Sequence, residues 1–157
     1  MKVKDIMSKR VVWTTPEVQL RELWRKVFTA HVNAVPVVDK KQRLLGIVSR
    51  EDFLKELYPD YQEYFEDITS IHDFEEMENK VRQLGDKKAS AIMSKRVVYT
   101  REDTPIMRAL SRMIVRRLNQ LPVLDEDDVV TGMVTKGDIF YALIKKSVKS
   151  PQKEKKR

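Results

Sequence analysis

Two short segments put a hydroxyl and a carboxylate three residues apart where a strand gives way to a helix: Ser49-Arg50-Glu51-Asp52 and Thr135-Lys136-Gly137-Asp138. The chemistry on offer there is binding. The first amides of a helix lack intrahelical partners and carry the positive end of the dipole, so the tip attracts an anion. Ser49 or Thr135 adds a hydroxyl donor, and Asp52 or Asp138 can accept two hydrogen bonds from a vicinal diol such as ribose. The same spacing also serves as a capping box, in which the hydroxyl bonds a backbone N–H and the acid reaches back, with no ligand involved. Asp is a shorter reciprocal partner than Glu or Gln, and both readings stand at this point. The second segment is the roomier, because Gly137 leaves space where the first has Arg50-Glu51.

Other reactive constellations are missing from the sequence. It has four glycines, Gly46, Gly85, Gly132 and Gly137. They form neither Gly-x-x-x-x-Gly-Lys-Ser/Thr nor Gly-x-Gly-x-x-Gly, the loops that cradle phosphates in nucleotide hydrolysis and hydride transfer. Its two histidines, His31 and His72, have no ligand spacing, and His31 reads as a packed or edge residue. Asp73, Glu75, Glu76 and Glu78 spread around the polar side of a helix, so no metal site is expected. Zero cysteines remove disulfides and thiolate chemistry and suit a reducing cytosol. No nucleophile–base pair is visible. The expectation is a non-enzyme without a cofactor.

Both segments belong to a larger duplication. Ile6-Met7-Ser8-Lys9-Arg10-Val11-Val12 recurs letter for letter at Ile92-Met93-Ser94-Lys95-Arg96-Val97-Val98, an offset of 86 residues (92 − 6). The same offset maps Thr14 to Thr100, Asn33 to Asn119, Pro36 to Pro122, Asp39 to Asp125 and Gly46 to Gly132. Aligned without gaps, residues 6–53 and 92–139 share 15 of 48 positions, where ordinary residue frequencies give about three. A unit of roughly 50–60 residues is marginal alone, so the copies are expected to fold together and bury a shared face.

Each copy reads strand, helix, strand, strand, helix. Val11-Val12-Trp13 and Val97-Val98-Tyr99 are short runs of β-formers. Leu20, Leu23, Trp24, Val27, Phe28 and His31 recur at helical spacing, as do Ile106, Leu110, Met113, Ile114 and Arg117. Thr104-Pro105 offers an N-cap and a first helical proline, and Thr15-Pro16-Glu17 suggests a slightly earlier start in the first copy. Ala34–Val38 and Leu121–Leu124 read as strands buried on both faces, with Pro36 and Pro122 suggesting a strand start or an edge. After polar turns come Leu44–Val48 and Val129–Val134, and the last helices start near Arg50 and Lys136.

Between the copies, Tyr58 to Lys88 holds Tyr58, Tyr61, Tyr64, Phe65, Ile68 and Ile71, too apolar for a tether. The spacing predicts a helix from about Asp73 to Leu84, capped by Ser70 or Asp73. Residues 53–86 carry ten acids against three bases, whereas Lys145–Arg157 holds seven bases and one acid, most of the net charge of +7. This basic end reads as a disordered tail. The predicted organisation is a first repeat at 1–58, a helical acidic and aromatic connector at 59–88, a second repeat at 89–147 and a tail at 148–157. No apolar run approaches the roughly 20 residues that span a bilayer, and Met1-Lys2-Val3-Lys4-Asp5 lacks a signal-peptide core. A cytoplasmic protein without a membrane partner is expected.

The chain resembles tandem cystathionine-β-synthase (CBS) domain proteins. The resemblance rests on the Ile-Met-Ser opening, the apolar-Pro-Val-x-Asp strand, and the closing Gly46-Ile47-Val48-Ser49-Arg50-Glu51-Asp52 and Gly132-Met133-Val134-Thr135-Lys136-Gly137-Asp138. It covers residues 1–58 and 89–147. It implies an α/β fold of two β-α-β-β-α repeats packed as a pseudo-two-fold pair, with adenine held between apolar strand residues. Carried over, the first site would comprise Val12, Val35 and Pro36 as base walls, Ser49 for phosphate and Asp52 for ribose. The second would comprise Val98, Leu121, Pro122, Thr135 and Asp138. Arg10 and Arg96 stand just before the first strands, within reach of a phosphate. Occupied and empty sites coexist in such proteins, so one working site is expected.

These readings converge on a regulatory sensor of an adenine nucleotide, AMP first, with ADP, ATP or S-adenosylmethionine behind it. The resemblance implies a homodimer formed through the amphipathic helices, acting on a protein target the sequence does not name. The alternatives are a structural interaction module, or a nucleic-acid binder using the basic tail with Arg112, Arg116 and Arg117.

Overall fold

The computed structural model describes residues 1–57 and 74–149. The aromatic part of the connector, its Ser70 or Asp73 cap, His72 and the end of the tail lie outside the described residues. The chain forms two compact units, Val12–Val97 and Met1–Val11 together with the chain from Val98 onward. The fold is mixed α/β with two repeats.

The unit of the first repeat contains α1 (Leu20–Thr29), β1 (Ala34–Val38), β2 (Leu44–Ser49), α2 (Arg50–Leu57), α3 (Phe74–Asp86) and the short α4 (Ala89–Ile92). The unit of the second repeat contains a 3-10 turn (Val3–Asp5), β3 (Thr100–Arg101), α5 (Ile106–Val115), β4 (Gln120–Leu124), β5 (Val130–Thr135) and α6 (Lys136–Lys149). β1 pairs antiparallel with β2, and β4 with β5, each with a register shift in the turn-proximal half. β3 runs parallel to β4. The spacing-based expectation of a helix before Leu84 agrees with α3.

The compact units cut the chain differently from the sequence repeats. Ile6-Met7-Ser8 begins the first copy, yet Ser8 exchanges both backbone hydrogen bonds with Met133 of β5, at 2.9 Å each way. Ser94, which begins the second copy, does the same with Ile47 of β2, at 2.9 and 3.0 Å. Each opening motif is thus bridged to the edge of the other copy's sheet. The motif glycines explain why. A Cβ on Gly132 would lie 2.6 Å from Met7 Sδ and 3.0 Å from the Ser8 carbonyl oxygen; one on Gly46 would lie 2.8 Å from Met93 Sδ and 3.0 Å from the Ser94 oxygen. Only a residue without a side chain lets the lead-in strand approach so closely.

This pairing also accounts for the prolines. Pro36 and Pro122 occupy the middle of β1 and β4, facing Ile47 and Met133; β1 is an edge of its two-stranded sheet, as proline suggests, whereas β4 is the central strand of its three. Ile47 and Met133 spend their N–H and C=O on the lead-in strand, so the prolines stand in non-hydrogen-bonded pairs that ask for no donor.

Other boundaries moved. The first strands fall later than expected: Val12 and Val98 pack against the cores as irregular chain, and pairing begins at Thr14, bridged to Val37, and at β3. Both first helices start at equivalent positions, Leu20 and Ile106, with Gln19 and Pro105 as N-caps and no side-chain cap bond. Thr104 accepts instead from the Arg101 N–H at 3.3 Å. The caps are carbonyls of the lead-ins: Lys87 O takes the Leu20 N–H at 2.8 Å and Met1 O takes the Ile106 N–H at 3.2 Å. His31 and Arg117 lie past their helices with φ of 52° and 54°, in the left-handed conformation that ends a helix.

Two cores result. Leu20, Leu23, Val27, Val35, Val37, Val48, Phe53, Leu84 and Ala89 are buried together in one unit. Val3, Ile106, Ala109, Leu110, Met113, Leu121, Val123, Val134 and Ile139 are buried in the other. Val3 and Ala89 come from the lead-ins, so those segments contribute apolar area as well as hydrogen bonds. Among the described residues no helix is long and apolar enough to cross a membrane.

Candidate functional site

Each sheet delivers its last strand straight into a helix, and the hydroxyl–carboxylate pair sits at that junction. Thr135 Oγ1 lies 2.8 Å from Asp138 Oδ2, the Thr135 N–H donates to the same oxygen at 2.8 Å, and the Asp138 N–H donates to Thr135 Oγ1 at 3.0 Å. Ser49 and Asp52 repeat the pattern at 3.0, 2.7 and 3.3 Å. This is a reciprocal capping box in both copies. The Asp side chain is short, but the extended strand brings the Ser or Thr amide close enough to meet it.

The capping geometry corrects the picture of an open helix tip. The first helical amides, Arg50 and Lys136, donate to the carbonyls of Asn33 and Asn119 at 3.0 Å each, and the third donate to the hydroxyls. The amides of Glu51 and Gly137 remain without a partner among the described residues. The hydroxyl protons are turned to the carboxylates, so Ser49 and Thr135 are not waiting donors for a phosphate. What each tip presents is the second carboxylate oxygen, Oδ1 of Asp52 and Asp138, which has no partner among the described residues. The half-buried carboxylate is held in one orientation by two hydrogen bonds and still has lone pairs for a diol.

The other expected residues are placed unequally. Val35 and Leu121 are 0% exposed in the two cores, which leaves no side-chain surface for a base to rest on. Pro36 and Pro122 alternate to the opposite strand face and are buried as well, while Val12 and Val98 are half-buried. Arg10 lies in the unit that contains Thr135 and Asp138, and Arg96 in the one that contains Ser49 and Asp52, the reverse of their grouping by repeat. Both are exposed and form no ion pair among the described residues. Arg50 is turned away, its guanidinium over Phe28 at 5.4 Å and donating to Val32 O at 3.2 Å. Beside Asp138 a cavity of about 450 Å³ opens between the N-terminal turn and α6. Gly137 is less critical than its position suggests, since a Cβ there would meet only Thr135 Oγ1 at 3.5 Å. Among the described residues no group of His, Asp and Glu could hold a metal ion.

Two residues escaped the sequence reading. Thr14 and Thr100 are 1% and 0% exposed, and their hydroxyls have no hydrogen-bond partner among the described residues. Their equivalence across the repeat was the available signal. Charge also secures the lead-in of the second unit: Asp103 receives Lys2 at 3.0 Å and Lys4 at 2.8 Å. The bond from Lys4 and the neighbouring ammonium of Lys2 hold the Asp103 carboxyl below its ordinary range, and Asp103 pushes the Lys4 ammonium up. Of the three arginines considered for a polyanion, Arg112 is already tied to the Tyr99 carbonyl.

A family profile of the CBS domain matches the chain twice, over residues 3–59 and 89–145. The chain belongs to the CBS domain family. This CBS pair is similar to the uncharacterized protein MJ1426 of Methanocaldococcus jannaschii, 26% identical over 155 residues and covering 92% of each chain. It is also similar to the inosine-5′-monophosphate dehydrogenase of that organism, 25% identical over 139 residues, which is 88% of this chain and 23% of the enzyme. Among solved structures, the CBS domain pair of protein MJ0100, in complex with 5′-methylthioadenosine and S-adenosyl-L-methionine, superimposes with a TM-score of 0.69. It is 25% identical, over 93% of this chain and 98% of that one.

Proposed function

We propose that this CBS pair is a regulatory module that binds an adenosine ligand, AMP first among the candidates, and catalyses no reaction itself. The observation that carries this reading is the Asp138 carboxylate, fixed by its capping box, with Oδ1 unclaimed beside a cavity large enough for a nucleoside. A diol donating to that oxygen would bind without first reorganising the acid, which saves ordering entropy. The adenosine compounds bound by the CBS pair of MJ0100 support the same ligand class. Asp52 offers a second carboxylate of the same design, and we assign Arg10, in the unit of Asp138, and Arg96, in the unit of Asp52, to the phosphate.

The mechanism is population shift. A ligand seated beside Asp138 favours conformers in which the lead-in Met1–Val11 is docked, and the chain leaves that lead-in directly into the other unit. Exposed apolar side chains on α5 (Met107, Ile114) and α6 (Phe140, Ile144, Val148) recur at helical spacing, and we assign them to a second copy of the chain, making a homodimer in the cytoplasm. Melting of nucleotide-free protein tests the ligand. At about a hundredfold excess over Kd, binding adds roughly 2.7 kcal/mol, and Asp138→Ala must abolish the shift. An unchanged melting temperature with every adenosine ligand rejects the reading.

A further inference from the structure

The helix pairs of the two repeats are covered unequally. In the first unit α3 packs against α1 and α2. It is fastened there by Arg21–Asp86 at 2.6 Å and, through the residue that follows it, by Lys87–Glu56 at 3.3 Å. Leu84 of α3 is buried in that core. The repeat puts Met107 and Ala142 where the first copy has Arg21 and Glu56. Neither can form an ion pair, and among the described residues the second unit has no third helix to lay over α5 and α6. Met107 is accordingly 53% exposed.

The uncovered pair is also strongly basic. Residues 106–117 and 136–149 hold eight bases and one acid, and that acid, Asp138, is engaged in its capping box. Arg108, Arg116 and Arg117 are exposed together with Ile114 and Val115. A two-fold contact between like faces sets a patch against its own copy. Bases would then meet bases, and like charges brought face to face oppose association.

The complement lies on α3. That helix belongs to a stretch, residues 53–86, of ten acids and three bases. Its Glu75, Glu78 and Val81 are exposed and recur every three residues along one side of the helix. The stripe is acidic and apolar where α5 is basic and apolar.

We propose that the α5/α6 face of one copy docks on α3 of a second copy, and not on the α5/α6 face of that copy. This rests on the homodimer reading above and names the surface that the second copy presents. Apolar side chains such as Met107 and Ile114 supply the buried area, and the opposed charges decide which surfaces meet.

The test is charge exchange in the full chain, read by sedimentation velocity over a concentration series. Arg108→Glu with Arg116→Glu reverses the basic face, and Glu75→Lys with Glu78→Lys reverses α3. Melting curves verify that these exposed substitutions leave the fold intact, and the single exchanges Arg108→Glu and Glu78→Lys serve if a pair does not fold. Each variant alone should dimerise about tenfold more weakly than the wild type. Mixed in equal amounts they should regain a dimer, because the reversed face of one meets the reversed α3 of the other. Added salt should weaken the wild-type and mixed dimers alike. Dimerisation that is unaffected by either reversal, strengthened by the arginine reversal, or not recovered on mixing overturns this inference and leaves the homodimer reading standing. A wild type that stays monomeric at every concentration overturns both and leaves the face to a different protein.

Discussion

At the residue scale, one carboxylate serves two ends. Asp138 caps its helix through Oδ2 and offers Oδ1 to solvent, so its removal has two separable effects. Asp138→Ala should destabilise the free protein by about 1 kcal/mol, the ordinary worth of a capping interaction, read from chemical denaturation, and should separately erase ligand stabilisation. Loss of stability alone would mean that the box is a cap and nothing more. Thr100 is the opposite case, a buried hydroxyl without a partner among the described residues. Replacing an unsatisfied buried group by an isosteric apolar one relieves a desolvation penalty, so Thr100→Val should stabilise the free protein by about 1 kcal/mol. A destabilised variant would reveal a hydrogen bond that the fold supplies. Ser49-x-x-Asp52 and Thr135-x-x-Asp138 were legible in the sequence because a hydroxyl, an acid and a strand–helix junction suffice to define them. Which oxygen each group spends was not legible, since that depends on the carbonyls of Asn33 and Asn119 reaching the helix tips from another loop.

At the scale of elements, the lead-in strands decide the architecture. Local pattern located the helices and the β-hairpins well, because burial at three- and four-residue spacing and continuous apolar runs are short-range signals. It misplaced the helix caps and the first strands. Leu20 and Ile106 are capped by the carbonyls of Lys87 and Met1, and no window around Thr15 or Thr104 contains that information. Gly132 makes the exchange possible. Gly132→Ala should drive a Cβ into the Ser8 carbonyl, costing about 1–3 kcal/mol as overpacking does, with hydrogen exchange accelerated at Ser8 and Met133; unaltered protection there would show that the lead-in docks without the close approach. The lead-in of the same unit is also held by Asp103. Because the folded carboxyl titrates below its unfolded value, its stabilisation is present above the unfolded pKa and fades as pH falls through the folded one. The pair is exposed and contributes little, so acidification below the ordinary carboxylate range should only loosen residues 1–5 slightly in the wild type, read as faster hydrogen exchange there, and Asp103→Asn should remove that acid dependence. An identical acid profile in both would remove Asp103 from the account.

At the scale of the whole molecule, the duplication legible in Ile6–Val12 and Ile92–Val98 implied two similar halves, and the fold bears this out with a twist that identity alone hides: each copy lends its opening strand to the other's sheet. A homodimer through α5 and α6 should respond to Ile144→Asp by dissociating in sedimentation velocity, whereas a monomeric wild type would contradict the assignment. The central claim remains the occupancy of the groove beside Asp138. It is tested most directly by titrating nucleotide-free protein with AMP and S-adenosylmethionine in a calorimeter, wild type against Asp138→Ala. The account predicts saturable binding by the wild type that the substitution removes from the second repeat. Flat titrations with both ligands, or wild-type binding unchanged by Asp138→Ala, would contradict it.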